Sequence, residues 1–387
     1  MKANQFRLIA SLASSKLADL LISAKTTLPA LMLSLGAPAW MISWLVPIRE
    51  SGALLPQALI GIALRHYAAR HHIWRLGMVV QSFSIVIIIL GAWWFDGVTA
   101  GWFVLGGLSL LSLGRSACSL TMKDIQAELA GKGERGKLLG IASTTSGVLT
   151  LLIAVPLLMF AEQLGERLVT GLIITAVAAM VVALLVLIPV TTCVDISNQN
   201  SHETYSWWRF DAVVYKFIMV RGLFVHSALV APYFMLESDQ NATSLLPFYI
   251  AAQAGATMLS SFIWGRVADK SARLTLQLAG VLAVSACIGL LLLPGNLVWL
   301  SGGLFFVLAV AHTGVRTGRK TYSLDVKEGQ ERTELVAFSN AAIGVILLAF
   351  GALYAGLKAL DVINVVAMMA SVLAFGIALS FILPKEK

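Results

Sequence analysis

The sequence predicts an all-α membrane protein, with twelve transmembrane helices in two pseudo-symmetric six-helix bundles. Three observations carry that expectation: a composition too apolar for water, twelve apolar stretches of spanning length, and a repeat that maps part of the first half onto the second. The chain has 387 residues, of which 58% are hydrophobic and only 12% charged, with a mean hydropathy of +0.84. A water-soluble domain covers its surface with about 25% charged residues, so the main solvent here is lipid and a pair of soluble domains is excluded.

A helix crosses a hydrocarbon layer of about 30 Å with about 20 apolar residues, each advancing about 1.5 Å. Twelve such segments can be laid on the chain: residues 9–34, 39–64, 76–95, 100–122, 138–161, 168–190, 211–236, 244–265, 274–293, 296–321, 334–357 and 361–383. Orientation follows from Lys and Arg, which cytoplasmic loops retain. Lys2 and Arg7 precede the first segment, and Lys385 and Lys387 follow the last. The even-numbered connections carry Arg65, Arg70 and Arg75, then Lys132, Arg135 and Lys137, then Arg209, then Arg266, Lys270 and Arg273, then Lys327 and Arg332. The other connections hold Arg167 and Lys358 among Asp96, Glu162, Glu166, Glu237, Asp239 and Asp361. This asymmetry predicts a multi-pass protein of a bacterial inner membrane with both termini cytoplasmic. The first segment carries Lys16, Asp19 and Lys25 without a small-residue cleavage pattern, so it is expected to be retained. The longest polar stretch, Thr191 to Asp211, divides the chain into a bundle over residues 1–190, a cytoplasmic linker over 191–210 and a second bundle over 211–387.

The repeat supports that division. Arg115 and Asp124 in RSACSLTMKD recur at the same spacing as Arg316 and Asp325 in RTGRKTYSLD. Glu134, Arg135 and Gly147 in GERGKLLGIASTTSG likewise recur as Glu331, Arg332 and Gly344 in QERTELVAFSNAAIG. The fourth and fifth segments are thereby matched to the tenth and eleventh.

The stretch Gly265-Arg-Val-Ala-Asp269-Lys270-Ser-Ala-Arg273 has a small residue for close helix contact, followed by acidic and basic residues able to form an ion-pair latch. It resembles the loop signature of the major facilitator superfamily, and the likeness extends over essentially the whole chain. The equivalent first-half stretch, Gly61 to Arg70, has Arg65 at the acidic position. Glu134-Arg135-Gly136 and Arg115 in LGRSACS also resemble the family. Its drug/proton antiporters carry a Gly-Pro-Gly-Gly cluster in the fifth helix, whereas this chain reads Gly140 to Gly147 with its proline at Pro156. The resemblance implies a monomeric secondary transporter that takes a small-molecule substrate by alternating access, with proton coupling and no cofactor. It also implies a cytoplasmic gate of Gly265, Asp269, Lys270 and Arg273, with Arg65 and Arg70 opposite.

Charges inside spans carry the functional argument, because each costs about 2.5 kcal/mol or more at the membrane centre unless it finds a partner or a water-filled cavity. In the first segment Lys16, Asp19, Ser23, Thr26 and Thr27 fall on one helical face, expected to line a cavity. Lys16 and Asp19 could equally be a self-neutralising pair, and Lys25 falls on the opposite face. In the second, Arg49 and Glu50 are adjacent; a carboxyl in a partly dry cavity can load and release a proton near neutral pH, so Glu50 and Asp19 are the candidate proton-coupling residues, the alternative being an outer gate. In the tenth, His312, Arg316, Arg319 and Lys320 form a basic stripe whose last two members read as a positive-inside flank. Arg221 adds a cation in the seventh, with His226 beyond it. Lys16, Arg49, Arg115, Arg221, Arg316 and His312 are the candidate substrate-binding residues, and helices one, four, seven and ten are expected to line the cavity. Embedded cations outnumber Asp19 and Glu50, which favours an anionic or zwitterionic organic solute.

Other functions find less support. The basic residues are dispersed between apolar segments and form no nucleic-acid-binding face. Cys118, Cys193 and Cys287 have no disulfide or metal-ligand spacing. There is no phosphate-cradling loop for ATP and no nucleophile–base spacing for an enzyme, so neither catalysis, metal nor cofactor is expected. Asn241-Ala-Thr is a chance glycosylation pattern, and Trp93, Trp94, Trp207 and Trp208 read as interfacial anchors. A proton-driven multidrug exporter of the same fold, and a membrane receptor or assembly factor that moves no solute, are the rival readings.

Overall fold

The computed structural model describes residues 3–64, 67–129, 135–164, 166–193, 212–237, 242–292, 298–325 and 329–384. Arg65, Glu134, most of the 191–210 linker with Trp207 to Arg209, and Asn241 lie outside the described residues, as do the side chains of Asp325, Glu331 and Arg332. All regular structure among the described residues is helical. The helices are α1 (Ala3–Leu21), α2 (Thr27–Ser34), α3 (Ala39–Ile42), α4 (Leu45–Leu54), α5 (Pro56–Leu64), α6 (Arg70–Trp94), α7 (Gly97–Leu129), α8 (Arg135–Leu164), α9 (Glu166–Leu187), α10 (Ala212–Phe224), α11 (His226–Leu229), α12 (Ala231–Leu236), α13 (Ala242–Ala268), α14 (Ala272–Leu292), α15 (Val298–Asp325), α16 (Gly329–Leu360) and α17 (Val365–Ser380).

Each of the twelve apolar stretches falls on one or more of these helices, and eight stretches are long and apolar enough to cross a membrane. Among the described residues, three of the others fall short for visible reasons. The first is split into α1 and α2, and the second into α3, α4 and α5, with Pro56 opening α5. Both also carry embedded charges. Helix α17 has 16 residues. Large apolar side chains such as Phe83, Leu152, Met159 and Phe375 stand on the outside, where a lipid-solvated protein places them. Trp93 and Trp94 are exposed beside them. Cys118 and Cys287 are buried thiols, and Cys193 is an exposed one.

The break between Leu21 and Thr27 corrects the helical-wheel reading of Lys25. Phase is lost where the helix stops, and the Ser23 hydroxyl accepts from the Lys25 backbone N–H at 3.2 Å in the interruption. Lys25 therefore leaves the outer face and turns inward. The seventh stretch is interrupted too, at Val225 and Val230, so helices that correspond in the two halves both carry a break.

Lipid tails are as apolar as leucine, so helices associate through close packing at small residues. At the α6–α7 crossing, Gly77 and Gly114 meet so closely that a Cβ on either would lie 2.8 Å from the other's carbonyl oxygen. Within the first half α1 packs on α8 and α9, α6 on α7 and α9, and α4 on α7; within the second α14 packs on α15 and α17, α13 on α15, and α10 on α16 and α17. The halves meet through α8 against α13 and α16 against α3 and α4. The repeated glycines mark both seams. A Cβ at Gly147 on α8 would lie 2.6 Å from Met258 on α13, and one at Gly344 on α16 would lie 2.6 Å from Leu55 beside α4.

Candidate functional site

Hydrogen bonds define the two ends of the molecule. At one, Gln5 donates to the Leu129 carbonyl at 3.4 Å, Arg75 to the Ile188 carbonyl at 2.6 Å, and Tyr322 to the Pro384 carbonyl at 3.1 Å. This end carries both chain termini. At the other, the Gly97 backbone N–H donates to the Leu35 carbonyl at 2.7 Å, and Ser43 and Tyr233 share a hydrogen bond of 2.8 Å that joins the two halves. Trp40 and Trp102 pack edge to face nearby, with ring centres 6.1 Å apart. The far end is thus closed across the halves.

Between the halves lies a cavity of about 790 Å³. Its walls come from the middle of the α1–α2 pair, α4, α7 and α13, and from the parts of α8 and α15 nearer the terminus end, at Ser143 and Ser146 and from Thr313 to Thr321. Seven basic residues line it, Lys16, Lys25, Arg49, Arg115, Arg316, Arg319 and Lys320, against two acidic ones, Asp19 and Glu50. Uncharged donors and acceptors complete the lining, and Ser23 donates to Gln253 at 3.2 Å across the seam between the α1–α2 break and α13.

The two carboxylates differ. One Asp19 oxygen accepts from Arg49 Nη2 at 2.6 Å, and the other accepts from Arg115 Nη1. Asp19 is therefore an ion-pair hub joining α1, α4 and α7, and its partners are these arginines rather than Lys16 one turn earlier. Glu50 forms no ion pair within 4 Å among the described residues; Lys25, Arg316, Arg319 and Arg49 act on it most strongly, with Arg115 and Arg221 also in reach.

The cavity brings together Lys16, Asp19, Arg49, Glu50, Arg115 and Arg316 from the expected set, and leaves two members aside. Arg221 donates to Ser339 at 2.6 Å and Asn340 at 2.8 Å, tying α10 to α16 inside the second half. It lines a small pocket of about 20 Å³ that also takes in Glu50, Arg319 and His312, so this guanidinium adjoins the large cavity without being part of its lining. His312 bonds Ser227 at 3.1 Å through Nδ1 and borders a recess of about 70 Å³ shared with Lys25, Gln253 and Arg316. Helix seven accordingly stays out of the large cavity, while helices five and eight join it. Sequence reasoning assigned Arg319 and Lys320 to a flank, although their spacing from Arg316 was the available signal. Gln253 and Thr257, one helical turn apart in an apolar segment, were also a visible signal.

The expected gate residues of the second half lie at the terminus end, and Arg65 lies outside the described residues. Asp269 and Lys270 are exposed, Arg273 donates to the Leu383 carbonyl at 2.9 Å, and no ion pair joins Asp269 among the described residues. Gly265 makes no close helix contact here, since a Cβ there would meet nothing within 4 Å. In the first half the buried Arg70 lies 3.0 Å from Asp124 on α7, which gives that arginine a partner within its own half. Among the described residues there is no cluster of three His, Cys, Asp or Glu suited to a metal ion.

No family model matches the sequence, and no curated protein matches it. The structure nevertheless resembles solved transporters over its full length. Against the nucleoside transporter NupG the TM-score is 0.74 at 10% identity, covering 98% of both chains. Against a D-xylose–proton symporter it is 0.73 at 14% identity, covering 99% of this chain and 98% of the other. A bacterial homologue of the iron transporter ferroportin, also 14% identical, gives 0.68 in its inward-facing state over 98% of both chains. Its outward-facing state gives 0.56 over 97% of this chain and 98% of the other. Such identities speak to architecture alone, and the chain shares the fold of these solved transporters.

Proposed function

We propose that this chain is a secondary active transporter that moves a small anionic or zwitterionic organic solute across the bacterial inner membrane by alternating access. The observation that carries the reading is the lining of the 790 Å³ cavity, seven basic residues against two acidic ones, between halves that are closed at one end. In this reading twelve spans form bundles over residues 1–190 and 211–387, both termini are cytoplasmic as the distribution of Lys and Arg requires, and the cavity opens inward. Lys16, Arg115 and Arg316 bind the solute, whose carboxylate or phosphate groups suit arginine forks. Arg49 holds Asp19, and Arg221 braces the second half. Asp269, Lys270 and Arg273 close the cytoplasmic mouth in the opposite state. Glu50, with no ion pair among the described residues, takes the coupling proton, and Asp19 serves as a fixed counter-ion. A cavity of this sign repels lipophilic cations, which disfavours the multidrug reading.

The test is binding and transport with named anions. Purified protein is titrated with oxalate, succinate, citrate, glycerol phosphate and inorganic phosphate while its thermal stability is followed, and the best binder is then used for uptake into proteoliposomes. Arg115→Gln and Arg316→Gln are expected to weaken apparent affinity about tenfold or more, the effect of losing a charged hydrogen-bonded partner. Arg221→Gln is expected to leave affinity within about twofold while lowering stability. Glu50→Gln is expected to abolish stimulation by a proton gradient while keeping exchange of the anion. Stabilisation by lipophilic cations and by none of the anions would overturn the reading.

A further inference from the structure

The charges of the cavity are divided unevenly between its walls. The first-half wall contributes Lys16, Lys25, Arg49 and Arg115 against Asp19 and Glu50, a net of two positive charges. Among the described residues, the second-half wall contributes Arg316, Arg319 and Lys320 and no carboxylate, a net of three. Asp19 is held by Arg49 and Arg115 of its own half, so it does little across the gap. Glu50 alone pulls the halves together, and three second-half arginines, Arg316 and Arg319 in the wall and Arg221 beside it, share its single charge. Lys16 and Lys25 both act on Arg316, and Lys25 acts on Arg319 as well, so like charges face each other across the water-filled space.

Alternating access requires the open mouth to close, which drives these walls toward one another and removes the water that screens them. Repulsion grows as distance and effective dielectric fall. A bound anion reverses the sign, but one negative charge offsets only part of either wall. A solute with two or more negative charges can engage both walls at once.

We propose that the cavity is an electrostatic lock: when it is empty, the facing cations hold the mouth at the terminus end open, and only an anion carrying two or more negative charges releases it, so that the protein works as an obligatory anion exchanger. The proposal rests on the anionic reading above and sharpens it. The substrate class is a multiply charged organic or phosphate-bearing anion, and the empty carrier does not cycle. A proton on Glu50 removes one of the two carboxylate charges and strengthens the lock, so proton and anion binding support each other by linkage.

The lock can be tested without knowing the natural solute. Spin labels placed at Lys123→Cys on α7 and Leu274→Cys on α14, both exposed sites, report the width of the mouth by electron–electron resonance in protein carrying Cys193→Ser. The anion-free parent is expected to hold the long separation. Arg316→Gln combined with Arg319→Gln is expected to raise the short-separation population about tenfold with no anion present, within the usual range of coupling between sites. Citrate is expected to do the same in the parent, and acetate is not. Sodium chloride near 1 M, where screening reaches about 3 Å, is expected to move the unsubstituted wall in the same direction and so guards against a variant that merely misfolds. An unchanged distribution in the double variant and in high salt would overturn the lock while leaving anion transport standing. Failure of every anion to bind would instead remove the reading on which it rests.

Discussion

Asp19→Asn is expected to destabilise the protein by about 2–3 kcal/mol, seen as a fall of several degrees in the melting temperature of the solubilised protein. Two arginines depend on this carboxylate, from α4 and from α7, and its removal leaves both guanidinium groups without their ion-pair partner, with Glu50 the remaining counter-charge at longer range. Breaking a fully buried pair from one side costs about 3–5 kcal/mol. The cost here is lower because the Arg115 side chain keeps 37% of its surface exposed, where solvent screens it. Arg49 bears most of the cost: its side chain is only 15% exposed, and its Nη1 already lacks a hydrogen-bond partner. Adding Arg49→Gln to Asp19→Asn is therefore expected to recover part of the lost stability. A melting temperature unchanged in Asp19→Asn would show that the hub does not hold α1, α4 and α7 together.

The α6–α7 crossing supplies the second large effect. Alanine at Gly77 would place its Cβ 2.7 Å from the Cys118 sulfur and 2.8 Å from the Gly114 carbonyl oxygen, and alanine at Gly114 would meet the Gly77 carbonyl oxygen at 2.8 Å. Backbone carbonyls cannot rotate away as a side chain can, so the helices must separate. Each single substitution is expected to cost about 1–3 kcal/mol, and leucine at either site more. Gly106 on the same helix is the control, since nothing lies within 4 Å of a Cβ there. Gly106→Ala is expected to leave stability unchanged or slightly raised, because alanine is the better helix former. Equal melting temperatures for the Gly77, Gly114 and Gly106 variants would contradict this account of the seam.

Most of the architecture was legible because hydropathy and length act over whole segments. All twelve apolar stretches fall on helices, and Gly147 and Gly344, matched by the repeat, each lie at a close contact between a helix of residues 1–190 and one of residues 211–387. What could not be read was the phase of side chains beyond a break. Lys25 went to the wrong face because a helical wheel assumes an unbroken helix, and the chain departs from one between Leu21 and Thr27. The choice of partner was equally hidden. Asp19 is one turn from Lys16, yet it binds arginines brought from α4 and α7 by packing that no local pattern encodes. Arg221 looked like a cavity cation because its charge was visible and its acceptors, Ser339 and Asn340, lie far along the sequence. Arg319 and Lys320 show the opposite error, for a flank by composition turned out to be a cavity wall by position.

The most direct test of the central claim, a hollow with positive walls, is the reactivity of a cysteine inside it. Thr317 lines the cavity beside Arg316, and Leu274 is an exposed reference on α14. In protein carrying Cys193→Ser, Thr317→Cys is expected to react with a negatively charged methanethiosulfonate about tenfold or more faster than with a positively charged one, after normalising to the same ratio at Leu274→Cys. Absence of reaction at Thr317→Cys, or a preference there for the cationic reagent, would contradict the account.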